Sequence, residues 1–189
     1  MIAGVVIAGG KGTRLGNPHK ALLIGSDGRT VLDRLLAELT AAGASPLFIA
    51  ANDPAAFARP GVVVVPDQRA DAGPLAGVEA ALLAVGAGVE AVLVVPGDLP
   101  AFSRSEAMAL IAAWQASSRP QVAVTASGMQ ALCAVVPVTA LPVVQRYLDS
   151  GRRSAHGLWQ DMDAQPVRCA DEAAFANLNT PEDVRRWQR

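Results

Sequence analysis

Near the start of the chain, four glycines and three cations crowd one stretch: Gly9, Gly10, Gly12 and Gly16 with Lys11, Arg14 and Lys20. Glycine lets a backbone take positive φ and come close to a ligand, and successive amides in such a loop form an anion-binding concavity. Cations along the same loop can neutralise a polyphosphate. Two familiar templates do not fit. A P-loop needs Gly-Lys followed at once by Ser or Thr, and here Gly10-Lys11 is followed by Gly12. A dinucleotide fingerprint needs GxGxxG, and Gly10 and Gly12 are followed by Leu15, with Gly16 one position late.

Asp98 is the second feature with chemistry in it. It follows the apolar run 91–95 and sits between Pro96 and Pro100. A carboxylate joined by substrate phosphate oxygens and water is the normal environment of Mg²⁺. The same aspartate could serve a turn or cap a helix, with Ser103 and Ser105 close by; beside a polyphosphate loop, the metal reading is the stronger. Such parts suit nucleotidyl transfer, in which a substrate phosphate oxygen attacks the α-phosphate of a nucleoside triphosphate and pyrophosphate leaves. Arg14 and Lys20 would stabilise the reacting phosphoryl groups, so catalysis would rest on positioning and electrostatics, without a protein nucleophile. His19 and His156 have no readable acid or nucleophile partner and read as incidental.

The elements that must hold these residues follow from pattern. Apolar runs predict strands at 2–7, 47–51, 62–65 and 91–95. Leucines and valine recurring at three- and four-residue spacing after Thr30 predict a helix stopped by Gly43, and the Gly25-Ser26-Asp27-Gly28 run before it reads as a turn. An Ala/Leu-rich helix at 74–84 starts on Pro74, and a helix from Ser103 or Ser105 reaches about 117. Strands at 122–125 and 131–136 read as antiparallel neighbours across Ser127-Gly128. Helices at 141–148 and 155–162, a strand at 167–169 and a terminal helix from Pro181 complete the chain. Alternating strands and helices, with nearly continuous apolar strands, predict a mostly parallel α/β sheet covered on both faces. Ligands of such sheets lie beyond the strands' carboxyl ends, where the glycine loop, Asp67 and Asp98 all fall.

Composition bounds the rest. The chain has 189 residues, 51% hydrophobic and 17% charged, with positive mean hydropathy, which is ample for one core and argues against disorder. A net charge of −1 offers no whole-protein attraction for nucleic acid or anionic membrane, so the anion site must be local. Cys133 and Cys169 cannot build a disulfide framework or a four-thiolate metal site and read as buried free thiols. No signal peptide or membrane span is readable, and the expected location is the cytoplasm.

The stretch IAGGKGTRLGNPHKALL resembles the signature of nucleotidyltransferases of the molybdenum cofactor guanylyltransferase type. In order, DQRADAGPLAGVEAAL, VLVVPGDLPAF, SGRRSAHGLW and FANLNTPEDVRRW continue the resemblance over essentially the whole chain. It implies a Rossmann-like three-layer α/β/α nucleotidyltransferase fold, mostly parallel with some antiparallel strands in the second half. One domain spans 1–189, with a nucleotide-binding half at about 1–100 and an acceptor-binding half at about 101–189. The implied reaction moves GMP from Mg-GTP to the terminal phosphate of molybdopterin cofactor. Carried over by motif, Ile7, Ala8, Gly9, Gly10, Lys20, Asp67 and Asp98 contact the nucleotide, and Gly73, Pro74, Leu75 and Gly77 line its pocket. Arg14, Lys20 and Asp98 are the implied catalytic residues, Asp98 the Mg²⁺ ligand, and Asn177 and Asn179 face the acceptor. Transient contact with proteins that supply and receive the cofactor is also implied.

Three positions depart from the family's pattern: Gly97 where cysteine is common, Met129-Gln130 where a His-Pro pair is common, and Ala50 where an asparagine is common. The six-position step from Arg14 to Lys20 separates the chain from sugar-phosphate nucleotidyltransferases, whose lysine lies farther on, and the Gly9-Gly10 pair favours guanine over cytosine. A cytidylyltransferase on the same cofactor, a sugar-phosphate enzyme, and a nucleotide-binding protein that delivers cofactor without turnover are the alternatives.

Overall fold

The expected buried runs pair into one seven-stranded sheet in the order β3-β2-β1-β4-β6-β5-β7. The computed structural model describes residues 1–9 and 19–189. The strands are β1 (Ile2–Ile7), β2 (Leu47–Ala50), β3 (Val63–Val65), β4 (Ala91–Pro96), β5 (Gln121–Thr125), β6 (Gly128–Pro137) and β7 (Gln165–Arg168). Every neighbouring pair is parallel except those made by β6, which runs against both β4 and β5. This is the mixed three-layer α/β sheet that the patterning and the resemblance imply.

Residues alternate between two cores, as a strand's two-residue period requires. On β4, Ala91, Leu93 and Val95 enter one core and Val92 and Val94 the other. The first core is covered by α1 (Val31–Ala41), α4 (Arg104–Ser117) and the C-terminal segment; the second by α3 (Pro74–Ala84), α5 (Leu141–Asp149) and α6 (Ala155–Asp161). A short α2 (Pro54–Phe57) and the terminal α7 (Pro181–Trp187) complete the α-helices among the described residues.

Capping explains several boundaries. The Thr30 hydroxyl accepts the Asp33 amide at 3.0 Å and starts α1, and Gly43 beyond its end has φ +87°. Ser103 and Glu106 form a capping box on α4, as do Thr180 and Asp183 on α7. Two expectations are corrected. Asn52-Asp53-Pro54 does more than end β2: Asp53 caps α2, its carboxylate accepting the Ala56 amide at 3.1 Å. β6 starts at Gly128, before the expected 131, because a register shift between Val122 and Ala123 lets Met129 and Gln130 pair with β5.

Register places the site. Ile7 lies beside both Ala50 and Pro96, and Ala50 beside Val65, so four parallel strands finish in one row. The chain therefore leaves these strands from a single edge of the sheet.

Candidate active site

The row is built first by backbone. The amides of Ala8 and Gly9 both donate to the Ala50 carbonyl at 2.9 Å, folding the chain after Ile7 over the end of β2. A Cβ on Gly9 would lie 3.8 Å from a carboxylate oxygen of Asp67, so the start of the glycine loop runs beside that acid. Gly10 and Arg14 lie outside the described residues, as does Lys11.

Lys20 opens a 3₁₀ turn, Lys20–Leu22. Its ammonium Nζ lies 3.4 Å from Asp98 Oδ2 and donates to Asn179 Oδ1 at 2.8 Å. Leu178 is buried, and its amide donates to the Asp98 carbonyl at 2.9 Å, so the C-terminal segment is stitched directly to the metal candidate. Asn177 and Asn179, on either side of Leu178, stay exposed. Lys20, Asp98 and Asn179 thus converge, while Asn177 remains at the rim.

Asp98 suits Mg²⁺ on chemistry. Its carboxylate is partly exposed at 23%, and among the described residues only Lys20 engages it, leaving oxygen available for a cation. The described residues contain no group of three or more His, Cys, Asp or Glu side chains able to enclose a metal. An ion held there would take its remaining ligands from phosphate oxygens and water, which is how Mg²⁺ usually binds.

At the β3 end, Asp67 meets a different partner. The Asn52 amide group donates to Asp67 Oδ2 at 2.9 Å, and its Oδ1 accepts the Asp67 backbone amide at 2.9 Å. Burial raises the Asp67 carboxyl above the usual aspartate range, and the Asn52 hydrogen bond opposes that rise. Asn52 was legible as a turn residue; its clasp on a residue fifteen positions away was not.

The expected pocket wall, Gly73 to Gly77, is the first turn of α3. Gly73 is its N-cap with φ +67°, and Pro74 holds N1. Leu75 is completely buried, so its side chain belongs to the core and the main chain is what this turn presents. A Cβ on Gly77 would come within 2.9 Å of Ala50 Cβ and 3.0 Å of Ile7 Cδ1, which explains the small residues on both elements. Gly97 is similarly crowded: a Cβ there would stand 3.1 Å from the Ile7 carbonyl and 3.0 Å from Ala21 Cβ, so a larger residue at this position needs a shift of a few tenths of an ångström in its neighbours.

The histidines separate. His19 lies edge-on to Phe57 at 5.2 Å and 3.9 Å from Asp53, while His156 is exposed on α6. Cys133 and Cys169 are buried free thiols, and burial pushes both thiols up. Gln130, at the atypical Met129-Gln130 pair, donates to Thr125 Oγ1 at 3.1 Å near the end of β5. Sequence pattern missed Arg69 and Glu79 altogether: the Arg69 guanidinium meets both oxygens of the buried Glu79 carboxylate.

Comparison with known proteins supplies the family and the fold. The chain is 39% identical over 184 residues to a molybdenum cofactor guanylyltransferase of Acidiphilium cryptum, covering 95% of this chain and 90% of that one. Its fold matches molybdopterin-guanine dinucleotide biosynthesis protein A of Archaeoglobus fulgidus with a TM-score of 0.76 at 19% identity, covering 100% and 97% of the two chains. It matches 2-C-methyl-D-erythritol 4-phosphate cytidylyltransferase of Thermus thermophilus nearly as well, with a TM-score of 0.74 at 21% identity over 100% and 98%. Fold alone therefore does not choose the base or acceptor. The MobA-like NTP transferase domain matches residues 4–166, and with the strand-end site in place the chain belongs to that family of nucleotidyltransferases.

Proposed function

We propose that this chain transfers GMP from Mg-GTP to the terminal phosphate of molybdopterin cofactor, forming the guanine dinucleotide and releasing pyrophosphate. The observation that carries this reading is the meeting of Lys20, Asp98 and Asn179 at the strand ends, together with the 39% identity to a guanylyltransferase. A phosphate oxygen of the acceptor forms a bond to the α-phosphorus of GTP. The bond from that phosphorus to the bridging oxygen breaks, and pyrophosphate carries away the electron pair.

Lys20 stabilises the charge on the transferred group, and its ammonium is held in place by Asn179 and Asp98. Arg14 is assigned the same task from its position in the loop motif. Bound on Asp98, Mg²⁺ would supply Lewis-acid neutralisation of the phosphate oxygens. Asp67, oriented by Asn52, meets the nucleoside, as do Ile7 to Gly10 and the first turn of α3. Asn177 and Asn179 face the acceptor. Both substrates are small molecules, met in the cytoplasm with brief contacts to the proteins that bring and take the cofactor, and without nucleic acid or membrane.

The fold shared with a cytidylyltransferase, and Ala50 at a position where the family commonly has asparagine, favour CTP as the second reading. Pyrophosphate release with each of the four nucleoside triphosphates, with and without molybdopterin cofactor, separates the two. GTP-specific release that requires the cofactor is the expected result. Preference for CTP moves the chain to the second reading, and release driven by a sugar phosphate alone rejects both.

A further inference from the structure

The loop at 67–73 joins β3 to α3 without regular structure, yet carries Asp67 at one end and Gly73 at the other. Arg69 stands inside it. Its Nε donates to Glu79 Oε1 at 3.0 Å and Oε2 at 2.8 Å, and Nη2 donates to Oε1 at 2.9 Å. The other arm, Nη1, reaches Asp149 Oδ1 at 2.5 Å, the last residue of α5. Glu79 lies in the middle of α3 with a side chain only 2% exposed, whereas the Asp149 side chain is 62% exposed. One guanidinium therefore ties the loop to the interior of α3 and to the end of a second helix.

The two anchors differ in kind. A buried carboxylate left without its cation is strongly destabilising, so Arg69 and Glu79 are needed together or not at all. An exposed ion pair adds little stability, but a planar fork fixes direction as well as distance. Two anchor points on different helices set where the loop lies over the start of α3, as a single contact could not.

We propose that Arg69 is a positioning residue for GTP: clamped between Glu79 and Asp149, it holds loop 67–73 so that Asp67 and the first turn of α3 meet the nucleotide. This rests on the reading that these two elements bind GTP. Arg69 touches neither Lys20 nor Asp98 and acts on nucleotide affinity rather than on the transfer step. Lysine, with a point charge and no fork, cannot reproduce the geometry.

The test is titration of Mg-GTP binding alongside pyrophosphate-release kinetics for R69K, for D149N, and for the double variant R69L/E79L, which removes the buried charge pair together and keeps the fold. Misplacement of the loop should raise the dissociation constant and KM for GTP by about tenfold in R69K and in the double variant, with kcat within about twofold. D149N should give a smaller rise of about two- to threefold, as an exposed arm implies. A folded double variant with wild-type GTP affinity overturns the proposal, leaving Arg69 as a neutraliser of a buried acid. If kcat falls as far as GTP affinity, Arg69 is no mere positioner and the proposal is equally overturned. Wild-type protein that fails to bind Mg-GTP rejects the underlying nucleotide reading, which the same titration shows before any variant is made.

Discussion

Asp67 and Asp98 each stand two residues beyond a parallel strand, β3 and β4, along the same edge of the sheet, yet they have opposite kinds of partner. Asp98 faces the Lys20 ammonium, and Asp67 is gripped by the neutral Asn52 amide. A cation beside a carboxylate suits phosphates and a metal, whose charges both groups can meet. A carboxylate clasped by an amide, with no cation in its described contacts, suits the donor edge of a base. The sheet edge is thus divided by charge, and under the proposed function the β4 end carries the transfer and the β3 end the recognition of the nucleotide.

The division is tested most severely at Asp98. Asp98→Asn should cut turnover by about a thousandfold or more while Mg-GTP binding persists more weakly, because the lost carboxylate would organise charge mainly in the transition state. Wild-type pyrophosphate release by this variant with magnesium would remove the metal assignment. Lys20→Met comes next, with kcat lower by about a hundredfold and a smaller change in KM. Asn179→Ala should cost only about three- to tenfold in kcat, since it removes a tether on the lysine and leaves the charge. Equal losses in these two variants would give Asn179 a part in the transfer step beyond tethering the lysine and facing the acceptor.

At the recognition end the expected effects are smaller and fall on affinity. Asp67→Asn should raise KM for GTP by about tenfold and leave kcat nearly unchanged. A large fall in kcat would erase the distinction between the two aspartates.

The smallest effect is a pH dependence. Burial raises the Asp67 carboxyl above 3.8, so GTP affinity should begin to fall on the acid side above the ordinary aspartate range. Asn52→Ala should move that limb to higher pH, because the opposing hydrogen bond is gone, and Asp67→Asn should abolish it. The sign for stability is the reverse. A raised folded pKa means that this group favours the folded state below 3.8, a contribution lost as pH rises through the raised value. Melting curves for Asp67→Asn and wild type at pH 4 and 7 check this, and the variant should gain relative stability at the higher pH.

Much of this frame was readable in residue order. The helix at 74–84 and the strand at 2–7 lie where an Ala/Leu-rich run opened by Pro74 and apolar continuity put them. Segments too short for a period were harder. The four-residue α2 has no repeating face, and only the Asp53-Pro54 start marks it. The early start of β6 depends on a register shift in its partner strand, which its own residues do not encode. Of the candidate site, Gly9, Lys20, Asp67 and Asp98 were visible within motifs, whereas the Asn52–Asp67 clasp and the Arg69 fork were not.

Residue order alone determined where most strands lie, that they end in polar loops, and that those loops carry glycines, cations and carboxylates. Those traits are local, written in side-chain size, backbone freedom and two- or four-residue periods. Tertiary structure decided the partners. Lys20 finds Asp98 across 78 positions and Asn179 across 159, and Arg69 finds Asp149 across 80. A hydrogen bond forms only over about 3 Å, so it leaves no trace in spacing along the chain. The register of four parallel strands brings their ends into one row, and on that row one aspartate met a lysine and the other an amide.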